Sequence, residues 1–104
     1  MTNEEKEIHA LKTLFERYLN IVNKNKLIFE GLALPERCSY TSISNLLNEA
    51  INNTEKYPFD KMHRWLGFTQ GVLSVMGLID VDEEREFTRP YLHSYHDNKP
   101  KTFG

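Results

Sequence analysis

A chain of 104 residues, 39% apolar and 27% charged, is the size of one domain with a modest core. Its net charge of −2, from 13 basic and 15 acidic side chains, excludes the cationic surplus needed for non-specific binding to nucleic acid or an anionic membrane. The lone Cys38 leaves no internal disulfide, no apolar run reaches transmembrane length, and the acidic start Asn3-Glu4-Glu5 is the opposite of a basic leader, so a cytoplasmic setting is expected.

Residues 2–30 predict one long amphipathic helix. Thr2 with Glu5 makes a capping box. Ile8, Leu11, Phe15, Tyr18, Val22 and Phe29 then follow helical spacing, widened by Leu14, Ile21 and Ile28, with Glu and Lys on the outer face and Gly31 as the stop. Residues 31–41, with Pro35, read as a connector holding at most a short turn. Ser42 is the expected N-cap of a helix to about Asn53 that carries Ile43, Leu46, Leu47, Ala50 and Ile51 on one face. Pro58 and Asp60 suit the first turn of a third helix with a stripe of Met62, Trp65, Leu66, Thr69, Val72, Leu73 and Met76, and Gly77 is its C-cap. Asp80 and Glu83 open a fourth helix, which Pro90 either kinks or restarts. The expected fold is all-α, a small four-helix bundle ending in a helical hairpin, with one domain over residues 1–97 and a loose tail over 98–104.

The third helix concentrates unusual chemistry. Gly67 and Gly71 stand four apart, and each costs about 1 kcal/mol of helix propensity relative to Ala. Close backbone approach by another helix, in the chain or across a dimer, is the first explanation, and room for a flat ligand the second. Lys61, Arg64 and Phe68 follow one another beside Trp65. Arg64 offers a planar fork for phosphate or carboxylate and Trp65 a stacking face, which together suit a nucleotide. The plain alternative makes Trp65 a core anchor and pairs Arg64 with Asp60 one turn earlier.

Arg85, Arg89 and His93 recur every four residues, with His96 three further on. On a continuous helix they form a cationic stripe, answered either by an anion or by the five acids within residues 80–86. A short connection makes the third and fourth helices antiparallel neighbours. Lys61, His63, Arg64, Trp65 and Gln70 would then face Arg85, Arg89, Tyr91 and His93 across an anion-binding cleft. No metal site is expected: His93 and His96 give a pair of ligands, and no spacing specifies a third. Residues 80–84 imitate the start of a calcium loop but lack its sixth-position glycine, and Tyr91 stands where the twelfth-position glutamate belongs. There is no nucleophile elbow, phosphate-binding loop or dinucleotide glycine pattern, so neither catalysis nor a cofactor is expected.

The stretch from Tyr57 to His93, through His63, Arg64, Trp65, Gly67, Gln70, Gly71, Glu84, Arg85, Arg89 and Pro90, resembles small accessory proteins of tailed bacteriophages. The resemblance covers roughly the C-terminal half of the chain. It implies a protein acting in the cytoplasm of a host cell, either modulating a host enzyme or countering host defence, in the latter case as a helical homo-oligomer that sequesters a nucleotide signal. Two further readings stand beside it: an inhibitor that engages a basic surface of a host nuclease or defence enzyme through the acids of residues 80–86, and, more remotely, a metal-dependent hydrolase using His63, His93 and His96.

Overall fold

A computed structural model describes residues 2–89 of the chain. Over them the backbone forms α1 (Asn3–Lys24), α2 (Lys26–Gly31), a 3-10 turn (Glu36–Cys38), α3 (Tyr40–Asn53), α4 (Phe59–Val75) and α5 (Val81–Thr88). No strand occurs among the described residues. Pro90, Tyr91, His93, His96 and the expected tail lie outside them.

Thr2 starts α1 as its sequence predicts. Its backbone is extended and its Oγ1 accepts the Glu5 N–H at 3.1 Å. Glu4 and Glu5 in the first turn and Lys24 in the last complement the helix dipole. The single helix expected over residues 2–30 is interrupted at Asn25. Asn25 Nδ2 donates to the Ile21 carbonyl at 2.7 Å, taking the acceptor that its own N–H would use in a continuing helix, and that N–H turns to Val22 instead. The restart as α2 rotates the stripe. Phe29 goes inward at 2% exposure, whereas Ile28, expected on the buried face, is 44% exposed.

The connector ends one turn earlier than its sequence suggests. Ser39 is extended and its Oγ accepts the Ser42 N–H at 3.1 Å, so Ser39 is the N-cap and Ser42 lies inside α3. Gly77 closes α4 with φ +77°, a conformation that favours glycine. Its N–H donates to the Ser74 carbonyl and the Leu78 N–H to that of Leu73, the paired bonds of a Schellman ending. Asp80 Oδ1 then accepts the Glu83 N–H at 3.0 Å and starts α5.

α1 is the central element and packs against both α3 and α4, which also touch each other. Leu11, Leu14, Phe15, Tyr18 and Val22 from α1, Ile43, Leu47 and Ala50 from α3, and Met62, Leu66 and Leu73 from α4 form one continuous buried core. Each large side chain fully buried there contributes about 1.5–3 kcal/mol. Trp65, Val72 and Met76, expected in the α4 stripe, are only partly buried at the margin of this core. α5 differs from the other long elements: its buried residues are Glu84 and Thr88, both polar, while Val81 and Phe87 stay exposed. No helix among the described residues is long and apolar enough to cross a membrane.

Candidate functional site

Glu84 points into the molecule, with its side chain 7% exposed. A carboxylate taken from water needs charge and hydrogen bonds in return, and two side chains of α1 supply them, backed by one from α4. Tyr18 Oη donates to Oε1 at 2.7 Å, and Arg17 reaches the same oxygen through Nε at 3.0 Å and Oε2 through Nη2 at 3.3 Å. Gln70 Nε2 donates in turn to Tyr18 Oη at 2.8 Å. The Arg17 guanidinium also lies 4.1 Å from the centre of the Phe87 ring. Burial first, and then the Glu84 carboxylate beside it, raises the Tyr18 phenol well above its ordinary value, so it remains a donor. This network ties α5 to α1 and α4.

Above the network, α4 and α5 enclose a cleft of about 250 Å³. Gly67, Gln70, Gly71 and Ser74 of α4 line one side, and Glu84, Arg85 and Thr88 of α5 the other. A Cβ built on Gly67 or Gly71 would meet nothing within 4 Å among the described residues. Among the described residues no helix packs closely on the glycine pair, which forms an open, bare strip of backbone; of the first explanation, close approach by another helix in the chain or across a dimer, the structure bears only on the part within the described residues. On its other flank a wider apolar groove of about 470 Å³ is lined by Leu34, Cys38, Phe68, Val75 and Met76 among others. Phe68 is 40% and Val75 89% exposed.

The residues expected to converge are divided among separate places. Gln70 and Arg85 share the α4–α5 cleft. Lys61 does not face it, since its Nζ sits 4.0 Å from the Tyr57 ring centre and 5.0 Å from that of Trp65. Trp65 packs edge-on to Tyr57 and is only partly buried at the margin of the core, short of the core anchor that the plainer reading made it. His63 Nε2 is 3.1 Å from Glu7 Oε1 of α1. Arg64 is exposed on the same side of α4 as the two glycines, and Arg89 is exposed beside Glu86 at 3.3 Å. Tyr91 and His93 lie outside the described residues. Helix geometry accounts for the division. Nine residues at about 100° each set Lys61 and Gln70 on opposite sides of α4.

Three participants escape a reading by charge pattern. Glu7 is buried at 5% although glutamates were assigned to the outer face, and burial raises its carboxyl above the ordinary 4.5. Glu84 is withdrawn from the acidic surface expected over residues 80–86. Arg17 stands on no stripe or motif that singles it out in the sequence. A signal for Glu84 existed in Tyr18, because a tyrosine on a core stripe requires a partner for its hydroxyl.

Among the described residues no three His, Cys, Asp or Glu side chains are placed to hold a metal ion. Comparisons of the chain with family models, with curated proteins and with solved structures find no match.

Proposed function

We propose that the protein is a non-catalytic, phage-type accessory protein that binds an anionic small molecule in the α4–α5 cleft and withholds it from a host effector. The class we favour is a nucleotide immune signal. The observation that carries this reading is the cleft itself, in which a glycine strip offers bare backbone to a flat group while Arg85, Gln70, Ser74 and Thr88 offer charge and hydrogen bonds. Glu84 at its base does not repel an anion as a free carboxylate would, because Arg17 pairs with it. In this reading Arg85 grips phosphate, Arg64 adds charge from the exposed rim, Gln70 gives a directional bond, and α1, α3, α4 and α5 form a small bundle ending in the α4–α5 hairpin. The resemblance of the segment from Tyr57 to His93 to phage accessory proteins supplies the host-cell setting.

A cleft of about 250 Å³ is just under the range of small-ligand sites, about 300–1,000 Å³. Fuller burial of a nucleotide then calls for a second subunit. The apolar groove beside the glycines, with Phe68 and Val75 exposed, supports a homo-oligomer. Thermal melting with a panel of nucleotides and cyclic dinucleotides tests the reading. A ligand at about a hundred times its Kd should raise Tm by on the order of 10 °C, and Arg85→Ala should remove the rise without unfolding the protein. No rise with any member of the panel would remove the reading.

A second reading, inhibition of a host enzyme through the acids of α5, is favoured by the exposure of Asp82, Glu83 and Glu86. Glu83→Lys would abolish such inhibition and leave nucleotide-dependent melting unchanged.

A further inference from the structure

α5 is fastened to the molecule by a different force from the other long helices. α1, α3 and α4 each bury several apolar side chains in the common core. α5 buries Glu84 and Thr88, and its large apolar side chains Val81 and Phe87 are 46% and 38% exposed. Apolar burial adds up gradually over many contacts. A hydrogen-bonded carboxylate is directional and is lost as a unit when the carboxylate leaves its partners. Among the described residues, the polar hold on α5 centres on Glu84, which Arg17 and Tyr18 grip while Gln70 backs Tyr18. Arg17 tightens it from outside by lying over Phe87. At the other end, Leu78 and Ile79, between the Gly77 turn and the Asp80 cap, pack partly buried against the core, so the apolar hold there stops just ahead of α5.

We propose that α5 is a latch, which the Glu84 clasp holds against α1 and α4 and which opens about the junction of Ile79 and Asp80 while the α1–α3–α4 core stays folded. Glu84 and Gln70 belong to the clasp and also line the α4–α5 cleft. An occupant that draws on the Gln70 amide or on Arg85 therefore acts directly on the latch, and opening of α5 sets access to the cleft. That last connection rests on the function proposed above, whereas the latch does not need it.

Hydrogen exchange of the ligand-free protein tests the latch without any nucleotide. Glu84→Gln keeps the side-chain shape but turns one of the oxygens facing Arg17 into an amide nitrogen. The α5 amides, including those of Glu84 and Arg89 that bond to Asp80 and Arg85, should exchange at least about tenfold faster in the variant, while the amides of α1, α3 and α4 stay within about twofold of wild type. Unchanged α5 exchange overturns the proposal, because the clasp would not be what holds the helix. A rise by one common factor in all helices also overturns it, because α5 would open only when the whole molecule unfolds. Should Glu84→Gln fail to fold, Phe87→Ala removes the exposed ring from under Arg17 and is read by the same outcomes. Selective release of α5 alongside a blank nucleotide panel keeps the latch and removes the ligand. A responsive panel with unchanged α5 exchange does the reverse.

Discussion

Glu7 and His63 join α1 to α4 through one contact of 3.1 Å between two largely buried side chains. Burial raises the Glu7 carboxyl, so the folded state holds its proton to higher pH than the unfolded chain does. The contribution of Glu7 to stability is then complete below the ordinary value of 4.5 and is lost as pH rises from there through the raised folded value. Glu7→Gln keeps an acceptor for His63 but cannot ionise. Urea unfolding of both proteins between pH 4 and 7 should find the variant gaining on wild type as pH increases. A constant difference would contradict the assigned burial cost. The inward position of Glu7 was open to inference, since Glu7, Leu11, Leu14 and Tyr18 stand at one helical spacing and share the buried face. Reading charge as exposure concealed it. His63, Leu66 and Gln70 repeat that relation on α4, where two polar residues flank a core leucine.

At the scale of elements, the two kinds of helical glycine make opposite demands. Gly77 has φ +77°, so Gly77→Ala forces a left-handed alanine at a cost of about 1–2 kcal/mol. Gly67 and Gly71 are inside α4 with open space at the Cβ position, and alanine there should stabilise the free chain by about 1 kcal/mol per site. Tm should therefore fall in Gly77→Ala and rise in Gly71→Ala, by several degrees in each case. If the bare strip serves a ligand or a second subunit, Gly71→Ala will combine higher stability with weaker binding. A loss of stability in Gly71→Ala would return the glycines to a packing role.

The caps at Thr2, Asp80 and Gly77 were legible because a single residue type at the right place carries each of them. The break at Asn25 and the early start at Ser39 were not. Both depend on a side chain bonding the nearby backbone, at 2.7 and 3.1 Å, and hydrophobic spacing does not record such bonds. α5 was legible as a helix, but its attachment was not: the inward-facing pair Glu84 and Thr88 has no apolar stripe to mark it.

At the scale of the molecule, the all-α class followed from periodicity alone, because no segment alternates for long enough to suggest a strand. The site was legible only in part. Gln70 and Arg85 meet in one cleft, whereas the half-turn between Lys61 and Gln70 separates the aromatic stack of Lys61, Tyr57 and Trp65 from it. A near-neutral chain that grips an anion must do so with a few placed donors, since its overall field supplies little attraction. Arg85 then carries a large share of the affinity. Native mass spectrometry of the protein purified from cells producing nucleotide signals tests this most directly, because it reads subunit number and bound small molecules in one spectrum. The account expects a multiple of the 12.3 kDa chain carrying a phosphate-bearing small molecule that is absent from Arg85→Ala. A wild-type protein without such a molecule, or a molecule retained equally by Arg85→Ala, would contradict it.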